Sequence, residues 1–593
     1  MLVDDGLLVP VNGGWLAAAE LDTVRAPPTI QALLAARLEQ LAPNERSAAE
    51  RAAVVGRVFE RAAVVELTPE PLRPGVAPSL VALVNKDLVR PERSELVAGD
   101  AFKFRHILIR DAAYEALPKA ERADLHSRFA QWLTRASADG LLQFEEIVGY
   151  HFEQAWRYRR ELGFDDEVTA SVGDAAAGHL ASAAFRALDR SDLAGASQLL
   201  ERALHIMPKE DPRLIEFTVE RVDVLVRLGF LQDASNLLAA VGDLPAVRSD
   251  PRQRAWWELA ELRVAYEAGA GYEIEPAFSV IRRAIPEFER TDDIRGLGYA
   301  WLSKAHAHWW QLQAAATFAA FERALTYSRQ AGRRSQELSI LDSVAATCWA
   351  GPSPVPDALA QLERIRQAAD GDRRIEASVQ LSRAKLLGMA GRKVDAEREL
   401  GAALATYAEL GMAVSMGEVG EAGYWLGLAT GALEQQRRRL EDGNRQFEAT
   451  GAVGLLSTTL GSLAFVLLDL GEPDEAERVA RRGLSIASSG DVSAVVTLRM
   501  AVASVEAQRG SGSHAAEVAD ELIALLTASD CHPVVGDWLS RAAQIHLVAG
   551  NRERATTLFA EALQRYHNKG ATGLAAVLQQ RMASLGMQAK AEE

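Results

Sequence analysis

Cysteine is almost absent from this sequence: Cys348 and Cys531 are the only two in 593 residues. They stand far apart, without a CxxC pair or a Cys/His metal spacing, so a disulfide framework and a cysteine-based zinc site are both excluded. Basic charge is also in short supply. Lys and Arg number 65 against 81 Asp and Glu, a formal net charge of −16. That field repels phosphate backbones and argues against nucleic acid as a partner. The arginines alternate with Glu and Asp along helical stretches, the pattern of solvated, salt-bridged faces. No apolar run reaches about 18 residues, so no membrane span is predicted. The N-terminal "MLVDDGLLVP" lacks the basic start and apolar core of a signal peptide. These absences predict a cytoplasmic chain that binds neither membrane nor nucleic acid.

Catalytic motifs are missing too. The phosphate loop GxxxxGK[ST] does not occur, and the glycine-rich "AGAGYE" and "GSGSH" fall where helical hairpins turn. There is no GxSxG, no HExxH and no Asp-x-Asp pair of a nucleotide cyclase metal site. The acidic pairs Glu145-Glu146 and Asp165-Asp166 lie on polar helix ends and read as solvated. His126, His151, His179, His205, His306 and His308 are scattered singly. The tryptophan doublets Trp256-Trp257 and Trp309-Trp310 each predict one core residue and one, Trp257 or Trp310, on a concave repeat surface. No catalytic residue, metal site or cofactor is predicted for this chain.

Apolar residues make up 48% and charged residues 25%, ordinary globular material. Two short apolar runs around Asn12-Gly13-Gly14 predict a β-hairpin within residues 1–28. Residues 29–135 predict a compact unit. "TIQALLAARLEQLAP" has helical spacing, with Thr29 as cap. "NERSAAERAAVVG" is a second helix, opened by Asn44 and closed by Gly56. "PSLVALVNKDLVRPE" is a third that runs into an extended segment. "AFKFRH" alternates as a strand, and "ILIRDAAYEALP" is a helix stopped before Pro118. Three helices followed by two short strands are the pattern of a winged helix.

From residue 136 to about 590 the chain reads as helical repeats. Small residues recur in the second helix of each unit, for example Ala196 and Ala203, Ala396 and Ala403, Ala476, and Ala555 and Ala562. The first marker of each unit runs Ala196, Ala234, Ala277, Thr317, Ala358, Ala396, a weaker one at Ala432, then Ala476, Ala516 and Ala555, in steps of about forty residues. Small side chains let the two helices of a hairpin approach closely. A single pair cannot bury its apolar face, so about ten pairs should stack into one right-handed superhelix. The fold class predicted is all-α: a winged helix followed by an α-solenoid.

The repeat pattern resembles the tetratricopeptide repeat, in the long-helix version of bacterial signalling ATPases of the maltose-activator type. "PPTIQALLAARLEQLAPNERSAAERAAVVGRVF", "LVALVNKDLVRPE" and "FKFRHILIRDAAYEALPKAERADLHSRFAQWL", in that order, resemble the large bacterial STAND ATPases that often carry a cyclase domain, an ATPase core, a winged helix and such repeats. "IVGYHFEQAWRYRRELG" resembles the lead into that family's repeats. The resemblance implies that "RHILIRD" matches the Met-His-Asp motif, with His106 and Arg110 as nucleotide-sensing residues. Ile107 occupies the motif's aspartate position. It also implies that the phosphate loop would precede Met1, so that ATP or ADP would be bound only with an upstream domain.

The function expected is therefore a non-catalytic regulatory or scaffold portion of a cyclase-associated STAND ATPase, binding a protein or small effector on its repeats. One alternative is an ATP-dependent cyclase regulator completed by an upstream nucleotide-binding domain. Another is a transcriptional regulator of the maltose-activator type, although the third helix offers only Lys86 and Arg90 as basic residues. Self-association stays open.

Overall fold

The computed structural model describes residues 8–11, 14–17, 28–93, 99–136, 144–269, 272–526 and 528–587. The chain divides into two units, residues 1–183 with 202–207, and residues 184–201 with 208–593. The division falls inside the helix of residues 167–189 rather than at residue 136, because the helix of residues 145–161 packs within the first unit.

Strands β1 (Leu8–Val11) and β2 (Gly14–Ala17) pair antiparallel, Leu8 opposite Ala17 and Val11 opposite Gly14. Helix α1 (Pro28–Glu39) already contains Thr29, which is therefore not its cap. Helix α2 (Pro43–Val55) begins one residue before Asn44; its cap position is Ala42, whose amide donates to Glu45 at 3.0 Å. Gly56 closes it as predicted. Next come β3 (Val58–Glu60) and α3 (Arg61–Leu67), two elements beyond the three helices and two strands predicted. A 3₁₀ turn leads to α4 (Val76–Asn85), β4 (Val89–Glu92), β5 (Ala101–Phe104) and α5 (Ile107–Glu115).

The sheet order is β3-β5-β4, all antiparallel. Pro91 is tolerated because β4 is an edge strand, paired only with β5. Phe59 and Phe104 face inward with rings 5.2 Å apart, both essentially unexposed. Helices α6 (Lys119–Ala136) and α7 (Glu145–Glu161) then pack side by side.

Helices α8 (Glu167–Asp189) and α9 (Leu193–Ile206) lead into the second unit. There the helices follow in pairs: α10 (Leu214–Arg227) with α11 (Leu231–Gly242), and, after the short α12 (Pro245–Ser249), α13 (Pro251–Ala268) with α14 (Ile274–Arg290). Next are α15 (Ile294–Trp310) with α16 (Ala314–Gln330), α17 (Arg334–Thr347) with α18 (Val355–Ala368), and α19 (Arg373–Met389) with α20 (Lys393–Glu409). The last pairs are α21 (Ala413–Thr430) with α22 (Leu433–Thr450), α23 (Val453–Asp469) with α24 (Pro473–Ile486), α25 (Val492–Gln508) with α26 (Gly512–Ala524), and α27 (His532–Val548) with α28 (Arg552–Lys569). Helix α29 (Thr572–Ser584) follows them. The protein is an all-α, tetratricopeptide-like helical-repeat protein with two small sheets near its N-terminus.

The fourth residue of the second helix is small and buried in most pairs. Ala234, Ala277, Thr317, Ala358, Ala396, Ala476, Ala515 and Ala555 occupy it and are all 0% exposed. Ala196 in α9 is equally buried, as are Ala203, Ala403 and Ala562 further along their helices. Two predicted markers shift. Ala515 rather than Ala516 holds the position in α26, and Ala432 lies just before α22, whose fourth residue is Gln436. A side chain that large fits because Gly427 stands opposite: any Cβ there would run into the Gln436 amide. Replacing Ala396 or Ala555 with Leu is expected to overpack the helix pair and cost about 1–3 kcal/mol in urea denaturation. Unchanged midpoints for both would remove these alanines from the packing argument.

The row of pairs also closes on itself. Ser488 donates to the Tyr272 carbonyl at 2.6 Å, and Ser529 to that of Leu312 at 3.0 Å. The Asp530 carboxylate accepts from the Ala314 and Ala315 amides at 2.6 and 2.8 Å, at the positive end of α16. The buried Lys569 ammonium donates to the Gly351 and Ser353 carbonyls at 2.7 and 2.8 Å. These partners are 215–218 residues apart in the chain, so repeats about five pairs apart are neighbours.

Candidate ligand cavity

The first helices of successive pairs turn a polar stripe inward. On α13 it is Arg263, Tyr266 and Glu267; on α17, Ser339, Asp342 and Ser343; on α21, Ser415, Glu418, Glu421 and Trp425. Spacings of three and four place each set on one helical face. With contributions from α10, α15, α19, α23, α25 and α27 they enclose a cavity of about 300 Å³ within the second unit.

Its charges are mostly matched. Arg263 pairs with Glu267, and its Nε lies 3.6 Å from Asp223. Arg374 holds Asp342, which also accepts from Ser378 Oγ at 2.5 Å. Lys385 meets Glu421 at 2.7 Å and sits 4.5 Å over the Trp349 ring. Tyr424 donates to Asp537 at 2.6 Å, and Asp491 caps α25 through the Ala494 amide at 2.9 Å. Burial pushes Asp491 up to about 6 and raises Asp537. Burial brings Arg227 down to about 10, aided by the neighbouring Arg374 charge. Glu418 is different. Burial pushes its carboxyl up to about 8, Glu421, Glu267 and Asp342 add to the shift, and Lys385 opposes it. Aromatic rings form another part of the wall: Tyr266 stacks on His306 with centroids 4.4 Å apart, and both lie beside Trp309 and Trp310.

Of the two tryptophans expected on a concave surface, Trp310 lines the cavity but is 9% exposed and packed on Tyr272, while its neighbour Trp309 is more open. Trp257 does not line it. Its indole donates to the Leu238 carbonyl at 3.1 Å and its ring fills the space over Gly242, where any Cβ would clash. His106 is exposed and caps α5, its Nδ1 accepting from the Leu108 amide at 3.2 Å. Arg110 is half-buried: its Nε donates to the Ala53 carbonyl at 2.9 Å and its guanidinium lies over the Tyr114 ring, so it ties α5 to α2. Both cysteines are buried, and desolvation holds the thiols protonated, Cys348 at about 11 and Cys531 at about 12.

Two histidines read as isolated come together in the first unit. His126 Nδ1 and His151 Nδ1 are 2.8 Å apart, His126 Nε2 meets Tyr114 Oη at 2.7 Å, and Tyr114 meets Tyr158 at 2.9 Å. His151 also borders a second cavity of about 460 Å³, with Arg57, Glu146, Tyr150 and Arg202. Among the described residues, no group of three or more His, Cys, Asp or Glu can hold a metal ion, and no helix is long and apolar enough to cross a membrane.

No family profile and no curated protein matches the sequence. Solved structures do resemble it. A STAND protein with a tetratricopeptide repeat sensor from Pyrococcus horikoshii is 13% identical, covering 96% of this chain and 68% of that one at a TM-score of 0.30. A Rap protein complexed with competence and sporulation factor is 12% identical, over 63% and 97%, at 0.32. Cut9 and Hcn1 of an APC/C hetero-tetramer give 12% identity over 79% and 94%, at 0.34.

Proposed function

We propose that this chain is the sensing and regulatory part of a signalling protein, without catalysis of its own, and that its repeat unit takes a small effector into the internal cavity. The observation that carries this reading is the cavity itself. The inner faces of nine helices, drawn from residues 226 to 538, are charged and aromatic where a mere packing core would be apolar. A ligand there touches repeats distant in sequence, so it favours the closed array over any opened one, and binding becomes a conformational signal.

On this reading residues 29–135 are a winged helix, supported by the order helix, strand, helix, helix, strand, strand over α2 to β5 and by the central place of β5 in the sheet. The association with a STAND ATPase and a cyclase rests on the sequence resemblance. In such an assembly His106, exposed at the N-terminus of α5, is the group placed to meet a nucleotide phosphate, while Arg110 holds the helix that carries it. ATP or ADP enters only with a nucleotide-binding domain.

The test is a thermal-shift panel on the full chain, covering amines, carboxylates, sugars and nucleotides, repeated on Ser343→Leu and Ser415→Leu, which narrow the cavity from two helices. At least one class is expected to raise the melting temperature of the wild type and not of the narrowed variants. No cavity-dependent shift with any class, or ATP hydrolysis by this chain alone, overturns the reading.

A further inference from the structure

We propose that the cavity of the second unit is built for a small organic ammonium ion, with Glu418 as its counter-charge and Tyr266 as an aromatic wall. This names the effector class and rests on the reading of the cavity as an effector site.

Among the described residues, one acid on the cavity wall has no partner. Every other acid on the cavity wall is engaged: Glu267 by Arg263, Asp342 by Arg374, Glu421 by Lys385, Asp491 by the amides of α25, and Asp537 by Tyr424. Glu418 is only half-buried, yet among the described residues it accepts no hydrogen bond and forms no ion pair. Burial, with Glu421, Glu267 and Asp342 beside it, disfavours its ionised form, so without a ligand Glu418 keeps its proton and a cation is the partner that would stabilise its carboxylate.

The surroundings select the sign and kind of partner. Glu267, Glu421 and Asp342 add negative potential at Glu418, against the single opposing charge of Lys385, which its own partner already occupies. An anionic ligand is repelled there, and a neutral one brings no charge to stabilise the ionised form of Glu418. No three acidic or imidazole groups converge closely enough to cage a metal ion among the described residues. An ammonium needs one carboxylate and ring faces, and Tyr266 supplies the latter: its hydroxyl feels the Glu418 charge, and its ring is held by the stack on His306. Trp425, one helical face along from Glu418 and Glu421, is 4% exposed with an indole N–H that has no acceptor in the fold. It gives a donor for an oxygen or nitrogen elsewhere on the ligand.

Binding is coupled to a proton. The groups that interact with Glu418 are Tyr266 and Glu267 from α13, Asp342 from α17, Lys385 from α19, Tyr407 from α20 and Glu421 on its own helix. With its carboxyl raised to about 8, Glu418 is largely protonated at neutral pH, and an ammonium ion favours the ionised form. Binding therefore releases a proton, and affinity falls by up to about tenfold for each pH unit below 8.

Isothermal titration of the full chain with putrescine and choline, against glutarate, glucose and calcium ion, tests the assignment. At least one amine is expected to bind at pH 8, to bind less tightly at pH 6, and to give heats that depend on buffer ionisation. Glu418→Gln is expected to weaken it at least tenfold and to flatten the pH profile. Should that variant misfold, the wild-type profile and the partial loss in Glu418→Asp decide. Binding of glutarate, glucose or calcium ion in the cavity without either amine overturns the ammonium assignment and leaves the effector reading standing. Equal amine affinity in wild type and a folded Glu418→Gln also overturns it. Absence of binding by every probe, with no cavity-dependent thermal shift, removes both.

Discussion

Gly269→Ala is expected to destabilise the second unit by about 2–5 kcal/mol. Gly269 ends α13 with φ +71° and donates to the Ala265 carbonyl at 2.8 Å. An L residue in that conformation costs roughly 1–2 kcal/mol. The larger loss comes from across the array. A Cβ on Gly269 falls inside the contact distance of the Gly454 Cα and amide nitrogen, and one on Gly454 lies 2.9 Å from the Gly269 Cα. Both obstacles are backbone, which cannot rotate away, so α13 and α23 must separate and the usual overpacking penalty of about 1–3 kcal/mol applies. Gly411 and Gly471 provide the control. They have φ of +67° and +80° with nothing within 4 Å of a Cβ, so Gly411→Ala and Gly471→Ala should cost only the backbone term. Because Gly454 also lines the cavity, Gly454→Ala is expected to weaken ligand binding as well as lower the urea midpoint. Equal stabilities for Gly269→Ala and Gly411→Ala would show that the two helices do not meet as described.

Those glycines illustrate what the sequence discloses and what it hides. Helix turns are legible because they are local: Gly391, Gly411, Gly431, Gly451 and Gly471 recur every twenty residues, all with positive φ. Alanine markers are legible for the same reason, since each sits at a fixed place in its own helix. Reading fails where a partner decides. Gln436 occupies an alanine position because Gly427, nine residues earlier, makes room, and no rule of single-helix spacing shows that exchange. Strand β3 has three residues, too few for an alternation to stand out, so the segment from Val58 to Leu67 carried no signal. The cavity is a product of tertiary assembly. Its walls come from helices spread over more than three hundred residues, and its only local trace is a polar stripe at helical spacing, such as Ser339, Asp342 and Ser343. Trp257 leaves its expected concave position because its ring fills the space over Gly242, a partner in another helix that the doublet alone does not reveal.

His126 and His151 stand 25 residues apart on neighbouring helices, and their meeting makes the stability of the first unit sensitive to acid. Burial holds His151 down to about 3, with Arg110 contributing. Burial likewise keeps His126 well below the usual imidazole range, with the His151, Arg110, Arg157 and Arg122 charges adding to it. Arg110 and Arg122 lie 4.8 and 4.7 Å from the centre of the Tyr114 ring, which completes the hydrogen-bonded chain, so an extra proton there would be buried among guanidinium groups. Above about pH 6.5 both histidines are neutral whether the chain is folded or unfolded, and the pair contributes no pH dependence. Below it the unfolded chain takes up protons that the folded one excludes, so stability falls as pH falls, until His151 itself protonates near 3. Each imidazole costs about 1.4 kcal/mol per pH unit, or about 3 kcal/mol per unit for the two. Between pH 6.5 and 5, before most carboxylates titrate, urea-dependent hydrogen exchange in peptides from α6 and α7 should report this slope after correction for intrinsic exchange rates. His151→Phe, whose ring can pack on Phe129 and Tyr150 as the imidazole does, is expected to remove about half of it. A flat profile between pH 8 and 5 in the wild type would mean that both imidazoles take up protons in the fold, because the chain from His151 to Tyr158 is open to water; half the slope would mean that only one of them is held neutral.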